Sequence, residues 1–218
     1  MTAAPGLQQR WNKQKMSDKQ HVILASGSLA RHDMLKAAGI AFTVIPANID
    51  EAAIRDALTA ENEAIDPADI AEILARAKGE AVSRENPDSL VIAADQTLSM
   101  GGQLFSKPAS LDEARDTLLR LRGEEHLLHT AVAIAESGDV TWSHVECVRM
   151  KMRRFSFGFL SEYLVRAGVD VCQSVGAYQF EGLGLQLFEE IEGDYFSILG
   201  LPMLPLMAEL RRRGVVSE

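Results

Sequence analysis

At 218 residues, 47% hydrophobic and 24% charged, the chain has the composition of a globular protein rather than a disordered one and can bury roughly 70% of its unfolded surface. Its 31 acidic residues outnumber its 22 basic ones, and the formal net charge of −9 argues against a nucleic-acid binder, which needs a basic face to neutralise phosphates. Two cysteines, Cys147 and Cys172, in no CxxC or Cys/His spacing argue against a disulfide scaffold or a zinc site, and no apolar run reaches the ~18 residues of a membrane helix, so a soluble cytoplasmic protein is expected. Any phosphate site must then be a local basic pocket.

Residues 1–20 are polar and lack an apolar h-region, so they read as a flexible extension and not a secretory signal, with Met16 as an alternative start. His21 to Ala25 reads as a buried strand that runs into the small-residue turn Ser26-Gly27-Ser28 and a helix over Ala30–Ala38, stopped by Gly39. A strand, a Ser/Gly turn and a helix N-terminus in that order present free N–H groups and hydroxyls to an anion. Arg31 stands in the first helical turn, where the dipole favours acids, and a residue set against its local preference can be serving a ligand. The loop is neither a P-loop nor GxGxxG. Phe42 to Ile45 predicts a second strand, followed by Asn48-Ile49-Asp50-Glu51, and Arg55 to Asp66 predicts an acidic surface helix and loop. Asp66-Pro67 opens a long helix by cap and N1 proline. Its apolar residues Ile70, Ile73, Leu74, Ala77, Ala81 and Val82 keep a helical period, with Lys78 at the edge of the stripe and Glu72, Arg76 and Glu80 on the opposite side. A lysine there can snorkel, or it can reach over the core into a cleft.

The run Leu90-Val91-Ile92-Ala93-Ala94 predicts a strand buried on both faces that ends at Asp95. A carboxylate at the carboxyl end of such a strand sits where open α/β sheets place their ligands. Gln96 to Phe105 reads as a short excursion around Gly101-Gly102 that returns Lys107 to the same end of the sheet. An acid and a lysine at one mouth suit a metal-phosphate substrate. Taken alone, the segment favours the plainer reading of a strand-capping Asp and a solvated Lys.

Ser110-Leu111-Asp112-Glu113 is a capping box for a helix that runs to Gly123. Strands over His126–Ala135 and Val140–Met152 follow, joined by the hairpin turn Glu136-Ser137-Gly138-Asp139, and Ser156 caps a helix ending at Gly168. From Gly176 to Gly200 the glycine-rich, aromatic composition predicts short strands around tight turns, with Gly182 and Gly184 where backbone passes close to something. A last helix spans Met203–Arg213, and Arg211-Arg212-Arg213 complement its dipole. His126 and His129 face opposite sides of a strand and read as structural. Trp142 and Tyr195 read as packing residues, although an aromatic beside Gly193-Asp194 can line a base pocket, and both cysteines read as core or edge residues. Strands and helices alternate only in part, so the expected fold is α/β with a mixed sheet.

Five segments in order, ILASGSLARHDML, IDE at Ile49–Glu51, LARAKGEAV, VIAADQTLSMGGQLFSKP and VGAYQFEGLGLQLFEEIEGDYFSILGLP, together resemble the Maf family of nucleotide pyrophosphatases, named for an association with septum formation. The resemblance covers nearly the whole chain after about residue 20. It implies a two-lobed α/β domain over residues 21–218, with helices on both sides of an elongated, twisted mixed sheet and a nucleotide cleft between the lobes, a fold akin to that of inosine triphosphatases. It also implies a divalent cation, Mg2+ or Mn2+, cleavage of a nucleoside triphosphate between its α and β phosphates, and a homodimer. Carried over by residue, Asp95 matches the proton acceptor, Glu51 a second acid, and Lys78 and Lys107 the phosphate-facing lysines, while Ser26, Ser28 and Arg31 match the first loop. Glu51 and Asp95 are the implied metal ligands. The oddly placed Arg31 and Lys78 fall on these positions, which favours the functional reading over the plain one.

Departures bear on the substrate. The common SPRR loop is Ser28-Leu29-Ala30-Arg31 here, and Gln96 and Glu181 stand where many members carry Thr and Gln. Those two residues resemble the subfamily acting on 7-methyl-GTP, and Glu181 can accept from a guanine edge and favour a methylated, cationic base. That subfamily tends to carry Trp where Ala30 stands, so a stacking group is missing. The rival reading is a nucleotide-binding regulator of cell division with little turnover.

Overall fold

The computed structural model describes residues 20–62 and 64–217, so the extension expected at residues 1–20 lies, Gln20 apart, outside the described residues. The chain begins with β1 (His21–Leu24), α1 (Leu29–Ala37), β2 (Thr43–Val44), α2 (Glu51–Glu61) and α3 (Pro67–Glu85). The central hairpins follow: β3 (Ser89–Met100), β4 (Gln103–Phe105), α4 (Leu111–Leu121), β5 (Glu125–Glu136) and β6 (Asp139–Met152). After α5 (Phe157–Ala167) and two 3-10 turns come β7 (Phe188–Glu192), α6 (Tyr195–Ile198) and α7 (Met203–Arg212). The strands form one seven-stranded sheet, ordered β2-β1-β3-β5-β6-β7, with β4 as a second partner of β3. β1 runs parallel to β2 and β3, and every other pairing is antiparallel, so the sheet is mixed as expected.

Local chemistry accounts for most element ends. Ser28, Asp50, Asp66, Ser110 and Ser156 each accept a backbone N–H at the head of α1 to α5. Ser137 and Gly138, both at positive φ, make the tight β5–β6 turn. Even-numbered residues of β3 (Leu90, Ile92, Ala94) pack with α1 and α7, and farther along Leu98 joins a second core built with α4 and α5. Odd-numbered residues face α3. Helices therefore cover both sheet faces.

Four expectations need correction. β3 does not stop at Asp95 but runs on to Met100, because β5 pairs with it throughout and its inward side chains beyond Asp95 are hydroxyls that find partners. Thr97 donates to the Pro67 carbonyl at 2.8 Å and Ser99 pairs with His129 at 3.0 Å. The excursion expected over Gln96–Phe105 is therefore a hairpin confined to Gly101-Gly102, both at positive φ. The segment Gly176–Gly200 holds one strand, a 3-10 turn and a four-residue helix instead of several strands; Gly184 does lie against the Gln179 backbone, whereas Gly182 has no such close neighbour. α2 starts at Glu51, not near Arg55, because Asp50 caps it. Finally, Arg212 and Arg213 pair with Glu209, while Arg213 also pairs with Glu136 of β5, so they are tied by side-chain ion pairs rather than left to the helix dipole alone. Cys147 is exposed on β6 outside the stretch that pairs with β7, one of the two placements expected for it.

α3 approaches the sheet closely because the contact is made of small residues. Ala71 and Ala75 lie against Ala131 and Ala133, all fully buried. A Cβ on Gly79 would meet the Cβ atoms of Ala135 at 3.1 Å and Ala93 at 3.5 Å. Gly79→Val is expected to push the helix outward and cost about 1–3 kcal/mol, read as a lower urea midpoint at unchanged slope.

Candidate active site

The sheet has a gap at its centre. β1 pairs with β3 only over Ser89–Ile92, and β4 takes up the same edge only at Leu98–Met100. Between them Ala93 to Thr97 has β5 on one side and, among the described residues, no strand on the other. Edge carbonyls in such a gap need other donors. Arg31 supplies one: its Nη1 donates to the Ala94 carbonyl at 2.8 Å and to Ser26 Oγ at 3.1 Å, and its Nε donates to the Gly200 carbonyl at 2.7 Å. This explains a cation in the first turn of α1. Ser26 Oγ also accepts from the Ser28 N–H, and Ser28 Oγ from the Arg31 N–H, so the Ser26-Gly27-Ser28 turn is tied to the head of the helix.

Asp95, 5% exposed, points from the gap toward α3. Lys78 is not at the edge of its helical stripe but buried, 7% exposed, because the small-residue contact around Gly79 draws this face of α3 onto the sheet. Its Nζ lies 2.6 Å from Asp95 Oδ1 and 2.9 Å from Glu51 Oε2. The trio joins β3, α2 and α3. Asp95 Oδ2 is buried and has no hydrogen-bond partner among the described residues. Glu72 and Arg76, expected to face away from the core, meet β6 instead: Ser143 Oγ donates to Glu72 at 2.7 Å.

A cleft of about 1600 Å³ opens at the gap. Asp95, Lys78, Glu51, Lys107, Ser26, Ser28, Arg31, Gln96 and Glu181 all line it, so each residue singled out in the sequence reaches one concavity. They do not all face it alike. Gln96 lies on the opposite face of β3 from Asp95, and its Nε2 is engaged by Thr130 Oγ1 (2.8 Å) and the carbonyls of Ser197 (2.9 Å) and Ile198 (3.3 Å). Arg55, one turn along α2 from Glu51, lines the cleft and was not singled out in the sequence; its spacing from Glu51 was the available signal. Tyr195, named in the sequence first as a packing residue and second as an aromatic that can line a base pocket, is 49% exposed at the cleft.

Charge and burial compete throughout. Burial would raise the Glu51 pKa, but the hydrogen bond and charge of Lys78, helped by Lys107 and Arg55, hold it below the ordinary carboxylate value. Burial lowers the pKa of Lys107, and the like charges of Arg31 and Lys78 add to this against the pull of Glu51 and Asp95. Arg31 is lowered by burial, with Asp95 and Glu51 opposing. On the other face, burial drops His126 to about 4, so it is a neutral partner of the Tyr178 hydroxyl, structural as expected.

An open mixed α/β sheet with a cleft at an interrupted strand edge, where Arg31, Arg55, Lys78 and Lys107 meet the carboxylates of Glu51 and Asp95, defines the class. The Maf-like protein family matches residues 21–213, and the chain belongs to that family. It is 48% identical over 195 residues to the 7-methyl-GTP pyrophosphatase of Brucella abortus biovar 1, covering 89% of this chain and 97% of that protein. It is 46% identical over 197 residues to the 7-methyl-GTP pyrophosphatase of Mesorhizobium japonicum, covering 90% and 98%. It is 50% identical over 192 residues to the nucleoside triphosphate pyrophosphatase of Paramagnetospirillum magneticum, covering 88% and 98%.

Removing Lys78 leaves a buried carboxylate unpaired. Lys78→Met is therefore expected to destabilise the fold by about 3–5 kcal/mol in chemical denaturation, and Lys78→Met combined with Asp95→Asn to recover most of that loss. If cationic Lys107 holds the ligand, kcat/KM falls as pH rises through its lowered pKa. Lys107→Arg is expected to move that alkaline limb to higher pH.

Proposed function

We propose that this protein is a nucleoside triphosphate pyrophosphatase that hydrolyses the α–β phosphate bond of nucleotides, including modified ones such as 7-methyl-GTP, to the monophosphate and pyrophosphate. One observation carries the reading: a buried carboxylate, Asp95, in a cleft that also gathers Arg31, Arg55, Lys78 and Lys107, fixed through one oxygen by Lys78 and, among the described residues, unpartnered at the other. The names of the relatives support the same reaction and do not favour a low-turnover regulator of cell division.

In this reading Asp95 Oδ2 orients a water molecule and takes its proton as the water oxygen attacks the α phosphorus. The bond from that phosphorus to the bridging oxygen breaks, and pyrophosphate leaves with the bond's electron pair. Lys78 keeps Asp95 in place through its hydrogen bond to Oδ1. Arg31, Arg55 and Lys107 offset the charge that moves onto the leaving group, and the Ser26-Gly27-Ser28 turn offers hydroxyls and N–H groups to a phosphate. Preorganised cations count for more here because the protein as a whole carries −9 and would otherwise repel a triphosphate.

Metal dependence belongs to the same proposal, with Glu51 and Asp95 as the residues that would hold Mg2+ or Mn2+. The unpartnered Asp95 oxygen beside a second carboxylate fits such an ion, since magnesium usually takes one or two carboxylates and completes its shell with phosphates and water. Among the described residues no three His, Cys, Asp or Glu side chains are grouped to hold a metal on their own. Bound there, the cation would neutralise phosphate oxygens and draw electron density from phosphorus. Residues 21–218 are read as one two-lobed unit, supported by the single sheet that runs through both main cores. A cytoplasmic site of action and a homodimer complete the proposal. No helix among the described residues is long and apolar enough to cross a membrane, and the acidic surface supports a nucleotide rather than a nucleic-acid partner.

Pyrophosphate release from a nucleotide panel, with Mg2+, with Mn2+ and with chelator, tests the reading: release is expected with either ion and none with chelator. Asp95→Asn is expected to lower kcat by about 10²–10⁴ while nucleotide still binds. Glu181→Gln is expected to reorder the preferred bases more than it slows the best one. Tight nucleotide binding by the unaltered protein with no pyrophosphate from any triphosphate would overturn the assignment.

A further inference from the structure

The short helix α6 on the cleft wall is tethered far beyond what four residues need to pack. Asp194 Oδ2 accepts from the Ser197 N–H (2.7 Å) and hydroxyl (2.8 Å). The Ser197 carbonyl takes Gln96 Nε2 at 2.9 Å and Thr130 Oγ1 at 2.8 Å, and the Ile198 carbonyl takes Gln96 Nε2 at 3.3 Å. Arg31 Nε holds the Gly200 carbonyl just beyond at 2.7 Å. A helix this short has no stability of its own, so these tethers from β3, β5 and α1 fix its conformation.

What they fix in the cleft is an aromatic ring. Tyr195 heads the helix at 49% exposure, with Phe180 beside it at a centroid distance of 6.0 Å and Phe196 edge-on at 5.9 Å. Phe180 is itself buried against Phe188 at 5.4 Å. Glu181, next in the chain after Phe180, lines the same cleft. A ring flanked by two aromatics and half exposed at the cleft offers a stacking surface, and nucleobases stack on such rings whatever their pattern of donors and acceptors. A cationic, methylated base gains further attraction to the ring face. The carboxylate of Glu181 supplies acceptors for the edge of a base held there.

Resting on the reading of the cleft as a nucleotide site, we propose that Tyr195 is the residue on which the base stacks, and that Gln96 is its positioning residue. Gln96 acts through the Ser197 and Ile198 carbonyls and not by donating to the base, because its amide nitrogen has only two hydrogens and three acceptors already share them. This ring fills the role left open by Ala30.

The test separates base from phosphate recognition. Tyr195→Ala is expected to raise KM for 7-methyl-GTP and GTP about tenfold or more, with kcat little changed. Inhibition by inorganic tripolyphosphate, which has no base, stays as in the unaltered protein, and Tyr195→Phe restores KM. Gln96→Ala is expected to raise KM in the native background and to add little on top of Tyr195→Ala. An unchanged KM in Tyr195→Ala, or tripolyphosphate inhibition weakened in step with nucleotide, would overturn the stacking role. Equal effects of Gln96→Ala in both backgrounds would overturn the positioning role. If the unaltered protein binds nucleotides but releases no pyrophosphate, the hydrolase reading falls, while the same comparison by binding titration still decides the role of Tyr195.

Discussion

A lysine ammonium and an aspartate carboxylate meet at 2.6 Å inside this protein, and the rest of the structure is arranged so that they can. Neither charge could be left alone there, since an unpaired buried ion costs several kcal/mol. Their meeting requires α3 to lie nearly on the sheet, which only alanine and glycine at the contact permit. Bulkier residues would have held the helix at the usual distance and left Lys78 to reach for solvent. Core packing and site chemistry are thus one constraint. The methyl groups of Ala131 and Ala133 set how far the lysine must reach.

The second constraint is the interruption along β3. A strand with partners on both edges has no spare carbonyls, whereas β3 loses its β1 neighbour after Ile92 and gains β4 only at Leu98. The chain fills that gap with an arginine from α1, and the guanidinium that satisfies Ala94 also bridges to Ser26 and Gly200. Three segments distant in sequence are drawn to one point by unmet backbone hydrogen bonds.

Much of the fold was legible in the residues. Caps at Asp66, Ser110 and Ser156 marked helix starts, and Ser137-Gly138 marked the hairpin, because these signals act within a few residues. The glycine-rich segment was misread as several strands because α6 exists through tethers from three other elements, whereas the close pass at Gly184, a contact with Gln179 five residues away, was legible. The same limit applied to the site. Arg31 was visible as a cation in the wrong place on a helix, but its partners at residues 94 and 200 were not. Gln96 was visible as a departure from a pattern, but not as a tether pointing away from Asp95.

Composition, capping and periodicity by themselves determined a mixed α/β chain with an acidic surface and a short set of residues whose placement defied local preference. Those are properties of neighbours within a turn or two, and local physics settles them. That β3 continues past Asp95, that Lys78 is buried between two carboxylates, and that Tyr195 stands open to the cleft were decided only by the tertiary structure. Each depends on how near two distant segments can approach, and that distance is set by side-chain volume at contacts no local pattern records.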